Sequence, residues 1–254
     1  MSAPPSLRDD PVPPFRLGLA LWLAGMIGVC AFSALPLPSP LGRPLPAPLW
    51  LIQLIGLVQS GLLLAAAVAL GTRLAPRVGL RAPVFVALVT RGSIVRALLP
   101  QLVPGVLGGA LGAVVLLAFH RQSPAEMATA VAGGFDPSLP VRVLYGGVTE
   151  ELLLRWGVMS LLLWAAWRLV QRGTGAPRAG IVTFAVLASA FVFGLGHLPT
   201  VLAFGGALSR GVVLYVLAGN ALFGCITGFL YWRYGLEAAM LAHALAHVFV
   251  HLLS

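Results

Sequence analysis

Three charged side chains stand close together inside an apolar stretch of the chain. Glu150, Glu151 and Arg155 lie in the run VRVLYGGVTEELLLRWGVMSLLLW, residues 141–164. On insertion scales each such charge costs about 2.5–3.5 kcal/mol at the centre of a membrane helix. Ionisable residues at that depth are functional by default, so this cluster is the first candidate for a chemical site.

Helical geometry gives the two neighbouring carboxylates different roles. Glu151 and Arg155 are four residues apart with the acid first, which is the favourable order for an ion pair. Glu150 points about 100° away from Glu151 and is left to face a cavity. A carboxylate in a low-dielectric cavity is suited to general acid or base catalysis. The alternative is a purely structural cluster, in which Glu150 is protonated and hydrogen-bonded.

Histidines recur in two later apolar segments. Phe193 and His197 are four residues apart at the end of one segment, so they share a helical face. His243, His247 and His251 follow at the same spacing in the last segment and form a single stripe. A lone histidine at a helix end is more often an interfacial residue than a catalytic one, whereas a stripe of histidines is uncommon in lipid.

The composition indicates a membrane protein. The chain has 254 residues, of which 59% are hydrophobic and 9% are charged, whereas a soluble domain carries about 25% charged residues. This excludes a disordered chain, a nucleic-acid-binding domain and an ordinary cytosolic enzyme. Cys30 and Cys225 both lie in apolar runs, so we interpret them as packing residues rather than a disulfide.

The predicted fold is all-α, a polytopic bundle of seven or eight transmembrane helices with an amphipathic surface helix. A span needs about 20 mostly apolar residues, and Arg-rich residues 83–99 are predicted to lie on the membrane surface. We divide the chain into a polar tail at 1–16, N-terminal spans and a basic segment at 17–140, and a catalytic core at 141–254. The predicted spans are 17–35, 49–70, 101–119, 143–168, 180–197, 211–232 and 236–253.

The distribution of arginine predicts a cytoplasmic N-terminus and an extracytoplasmic C-terminus. In that orientation only Arg43, Arg121, Arg142 and Arg210 lie outside the cell, and most other arginines lie in cytoplasmic segments. If 83–99 crossed the membrane, every later span would invert. In either orientation Glu150 and the candidate histidines share one leaflet, because Glu150 lies about 12 Å from the Arg142 end of its helix.

The order and spacing of these residues resemble those of a known protein family. Glu150-Glu151-x-x-x-Arg155, Phe193-x-x-x-His197 and His243-x-x-x-His247 resemble the three motifs of the CAAX-processing and bacteriocin-processing (CPBP) intramembrane proteases, over roughly residues 142–251. The resemblance implies that Glu150 and His197 activate a water molecule and that Glu151 and Arg155 support them. It also implies that His243 and the residue at 247 stabilise the oxyanion, with no cofactor.

One position departs from that family and leaves a second mechanism open. The family usually has Asn or Asp where this chain has His247, although histidine can also donate to an oxyanion. With His247 present, Glu150 and three histidines could instead bind zinc. Against zinc, the sequence lacks the HExxH spacing that places ligands and base on one helix.

The expected substrate is a membrane-associated protein or peptide, and the expected location is a bacterial plasma membrane. All basic residues are arginine and Ala, Gly, Leu and Pro are abundant, which is typical of a GC-rich bacterial genome. Bacterial relatives process bacteriocins, leader peptides or C-terminal sorting tails, so one of these is expected here. The alternative classes are a non-catalytic immunity protein, scaffold or regulator, and a proton-coupled transporter.

Overall fold

The computed structural model describes residues 12–35, 47–127, 137–203 and 207–253. The polar tail before residue 12 and most of the proline-rich loop, at 36–46, lie outside the described residues. Regular structure in the described part is entirely helical. The main helices are α1 (Pro14–Ser33), α2 (Leu49–Leu74), α3 (Pro83–Thr90), α4 (Ile94–Arg121), α5 (Leu139–Val170), α6 (Ala179–Ala203), α7 (Arg210–Arg233) and α8 (Leu236–Leu253).

Seven of these helices are long and apolar enough to cross a membrane. They are all except α3, and each coincides with a predicted span. Their lipid-facing sides carry the exposed leucines, valines and phenylalanines that a soluble protein would bury. The prediction of an all-α bundle with seven spans is confirmed.

The prediction of one surface helix over residues 83–99 is wrong in its extent. Helix α3 ends at Thr90, and Arg91 adopts a left-handed backbone with φ of 57°. Ser93 then begins a new helix, because its hydroxyl accepts a hydrogen bond from the Arg96 backbone at 3.3 Å. Residues 94–99 therefore belong to the third span, which begins seven residues earlier than the predicted residue 101.

Helix α3 is anchored to the start of α8 and does not span. The carboxylate Oε1 of Glu237 accepts hydrogen bonds from the backbone of Val84 at 2.8 Å and of Phe85 at 3.0 Å. The Leu236 backbone donates to the Arg81 carbonyl at 3.0 Å. The α2–α4 connection and the α7–α8 turn therefore lie at the same end of the bundle, as alternating spans require.

Glycine allows the helices of the core to approach closely. The small-residue pairs Gly108/Gly112 and Gly224/Gly228 both lie at helix contacts. A Cβ at Gly108 would lie 3.2 Å from the Ala242 side chain of α8, and one at Gly224 would lie 2.9 Å from Ala190 of α6. Helix association in lipid depends on such packing, so these glycines fix the position of α8 against α4 and of α7 against α6.

Candidate active site

The helix that carries the charged cluster is irregular. Within α5 the segments Arg142–Glu150 and Leu152–Met159 have π-helical geometry, and only the ends are α-helical. A π-helix hydrogen-bonds from i to i+5 and is found frequently at functional sites. An α-helical period does not give the angular positions of side chains in such a segment, so the positions of Glu150, Glu151 and Arg155 come from the structure.

The predicted ion pair between Glu151 and Arg155 is present and fully buried. Arg155 Nε lies 3.3 Å from Glu151 Oε2, and neither side chain is exposed. The same Nε donates to the hydroxyl of Thr227, on α7, at 2.9 Å. The guanidinium carbon lies 5.1 Å from the centre of the Phe193 ring, within the range of a cation–π interaction. Phe193 thus supports Arg155 as well as sharing a face with His197.

His243 lies between the two carboxylates. Its Nδ1 is 2.8 Å from Glu151 Oε1, and its Nε2 is 3.8 Å from Glu150 Oε2. The ring is buried and packs edge-on against Phe223 at 4.6 Å. Three helices therefore converge at this point: α5 supplies the acids, α8 the histidine and α7 the aromatic wall.

Glu150 and His197 are both partly exposed, and each has a different polar neighbour. The Glu150 side chain is 18% exposed, and its Oε2 lies 3.8 Å from His243 Nε2. The Nδ1 of His197 lies 2.9 Å from the Phe193 carbonyl. Within the described part of the chain, no hydrogen bond or ion pair joins Glu150 to His197, so their joint action on water stays a prediction.

A cavity of about 380 Å³ opens beside the cluster. His197, His247 and Asn220 line it together with apolar side chains of α4, α7 and α8. The ring of His247 lies 5.1 Å from that of His243. Gly146 leaves room for both rings, since a Cβ there would lie 2.9 Å from His247 Nε2 and 3.2 Å from His243 Nε2. The cavity thus reaches His247, whose ring neighbours that of His243, the residue next to Glu150.

The four candidate zinc ligands, Glu150 and three histidines, do not form a metal-binding group. Within the described residues, no three side chains of His, Cys, Asp or Glu converge closely enough to hold a metal ion. His243 Nδ1 is already bonded to Glu151, and His197 Nδ1 to its own helix. The residues present therefore do not fit a bound zinc ion.

Sequence reasoning missed the contributions of α7. Thr227 bonds to Arg155, Phe223 packs on His243, and Asn220 faces the cavity. A signal for two of them was available, because Asn220 and Thr227 are polar, lie in an apolar span and are seven residues apart. That spacing places them on one helical face.

A helical membrane bundle that buries acids and histidines beside a cavity has the parts of an intramembrane hydrolase. Residues 137–249 match the family model of type II CAAX prenyl endopeptidase Rce1-like proteins. The C-terminal part of the chain is therefore an Rce1-like domain of the CPBP family, which is a family of proteases. The match contains all seven candidate residues. No curated protein and no solved structure matches the chain.

Proposed function

We propose that the protein is a glutamate-type intramembrane endopeptidase, with Glu150 as the general base. The observation that carries this proposal is the contrast between the two acids. Glu151 is buried in an ion pair, while Glu150 is partly exposed and lies next to His243, whose ring neighbours that of His247 at the cavity. A positioned carboxylate beside a cavity is what water activation requires.

The reaction would proceed by attack of water on a peptide carbonyl. Glu150 takes one proton from the water, and the oxygen forms a bond to the carbonyl carbon. His197 would support Glu150 in this step, and His247, which lines the cavity, would donate a hydrogen bond to the oxyanion. The carbon–nitrogen bond then breaks, and the proton held by Glu150 passes to the leaving nitrogen. No cofactor takes part in this scheme.

The substrate would be a membrane-associated protein or peptide, cut near the membrane surface. Most of the surface that lines the cavity is apolar, which suits a hydrophobic stretch of peptide. A C-terminal sorting tail or a leader peptide would meet this requirement in a bacterial plasma membrane. With the N-terminus in the cytoplasm, the cavity would open on the extracytoplasmic side.

The direct test is cleavage of co-expressed sorting-tail and leader-bearing reporters by wild type and by Glu150→Gln. We expect the variant to lose cleavage, because an amide cannot accept the proton of water. Glu237→Gln is the matched control, since it makes the same change at an acid near the start of α8 that does not line the cavity.

Three outcomes would contradict parts of the proposal. Cleavage that survives Glu150→Gln removes Glu150 as the base. Loss of wild-type cleavage with chelator revives the zinc mechanism. If neither wild type nor variant cuts any reporter in a broad panel, a non-catalytic immunity or scaffold role takes precedence.

A further inference from the structure

Glu151 has a different partner on each oxygen. Its Oε1 lies 2.8 Å from His243 Nδ1, and its Oε2 lies 3.3 Å from Arg155 Nε. A carboxylate only accepts hydrogen bonds, and it is ionised beside an arginine that is always charged. The hydrogen of this bond must therefore sit on Nδ1, so Glu151 selects the tautomer of His243.

Glu151 is in turn fixed by a contact that crosses to another helix. Arg155 donates to the Thr227 hydroxyl at 2.9 Å, and both side chains are completely buried. The chain of contacts runs from Thr227 on α7, through Arg155 and Glu151 on α5, to His243 on α8. Because no solvent reaches these side chains to replace a lost partner, removing one of them weakens the positioning of the next.

With Nδ1 committed, Nε2 is the only ring nitrogen of His243 that can act on reactants. In the neutral ring Nε2 is an acceptor, and it lies 3.8 Å from Glu150 Oε2. One water molecule can donate to both atoms, because acceptors 3.8 Å apart subtend about 85° at an oxygen about 2.8 Å from each, near the angle between its O–H bonds.

We propose that Glu151, Arg155 and Thr227 are positioning residues that hold His243 as an acceptor, so that His243 and Glu150 together orient the attacking water. This rests on the proposed hydrolytic function. The water donates one hydrogen to Glu150 Oε2 and the other to His243 Nε2, which leaves a lone pair for the carbonyl carbon. His243 is then a catalytic residue on the water rather than a donor to the oxyanion.

The kinetic test uses the reporter that wild type cuts and Glu150→Gln does not. We expect Thr227→Val to lower kcat about tenfold with KM unchanged, as loss of a supporting contact does, and Thr227→Ser to restore it. Glu151→Gln should lower kcat about 100-fold or more, because the tautomer is no longer fixed.

Tyr231→Phe is the matched control, since it deletes the buried Ser160–Tyr231 hydrogen bond between the same two helices and should leave kcat unchanged. Unchanged kcat in both Thr227→Val and Glu151→Gln overturns the proposal.

A second measurement does not depend on proteolysis. Nitrogen-15 NMR of histidine-labelled protein in nanodiscs reports which ring nitrogen carries hydrogen, with His243 assigned from a His243→Asn sample. We expect hydrogen on Nδ1 alone in wild type and a mixture of tautomers in Glu151→Gln. Hydrogen on Nε2 in wild type, or an identical spectrum in Glu151→Gln, overturns the proposal even if no substrate is ever found. The expected spectrum without any cleavage would instead refute only the hydrolytic function.

Discussion

At the scale of single residues, adjacent acids with opposite surroundings define the site. Glu151 has no exposed surface and contacts both Arg155 and His243, while 18% of the Glu150 side chain is exposed. A charge buried with its partners is held in place by them, whereas a partly exposed charge can reach a ligand. One step along the helix therefore separates a fully buried acid from a partly exposed one.

The space beside the His243 and His247 rings depends on Gly146. A methyl group there would press on Nε2 of both His243 and His247. We expect Gly146→Ala to lower kcat/KM at least tenfold, because ångström-scale displacement of catalytic groups is costly. Its effect on the free energy of unfolding should stay within about 1–3 kcal/mol, the usual cost of one added methyl group in a packed core. Reporter cleavage and thermal unfolding in detergent measure the two quantities.

Gly56→Ala is the matched control, since nothing lies within 4 Å of a Cβ at that position of α2. Equal activity in both variants would show that the two histidines do not need the space that Gly146 leaves.

The sequence predicts only some of the contacts between these side chains. The Glu151–Arg155 pair follows from spacing within one helix, and the structure contains it. The contact from Glu151 to His243 joins residues 92 positions apart, and Thr227 lies outside every motif. Such contacts depend on how helices pack, which local periodicity does not specify.

At the scale of elements, the short helix α3 depends on an acid from the far end of the sequence. Glu237 is 7% exposed and satisfies two backbone donors at the first turn of α3. The first four N–H groups of a helix have no partner within it. The prediction of a continuous helix over 83–99 failed because the left-handed Arg91 and the Ser93 cap divide the segment.

We expect Glu237→Ala to lower the free energy of unfolding by about 1–3 kcal/mol, since it leaves the Val84 and Phe85 donors unsatisfied. Hydrogen exchange at those two amides should accelerate, while exchange in the core of α8 should not. Glu237→Gln keeps an acceptor oxygen and should behave almost as wild type. Equal exchange in all three proteins would mean that α3 does not need this cap.

At the scale of the whole molecule, the seven spans place the cavity at one end of the bundle. Arg142, near the start of α5, and His197, near the end of α6, both line it. The ends of α2 and α7 and the start of α8 meet at the other end. Alternation of spans follows from apolar lengths alone, whereas the side of the membrane follows only from the arginine distribution.

Labelling with a membrane-impermeant maleimide tests that orientation. We expect Ala207→Cys, which is exposed before α7, to react in intact cells, and Ala176→Cys, which is exposed between α5 and α6, to react only after permeabilisation. Cys30 and Cys225 would first be replaced by alanine. The reverse labelling pattern would place the N-terminus outside the cell and the cavity on the cytoplasmic side.

The bond between Glu151 and His243 also has a consequence for biosynthesis. The two residues are separated by 92 positions, which a ribosome adds in about 5–20 s at 5–20 residues per second. During that interval Glu151 can pair with Arg155 on its own helix, but its histidine partner does not yet exist. The proposed hydrolytic centre is therefore completed only when α8 has been made. A nascent chain that stops before α8 would carry both acids into the membrane without His243, and under the proposed mechanism it would not cleave peptides.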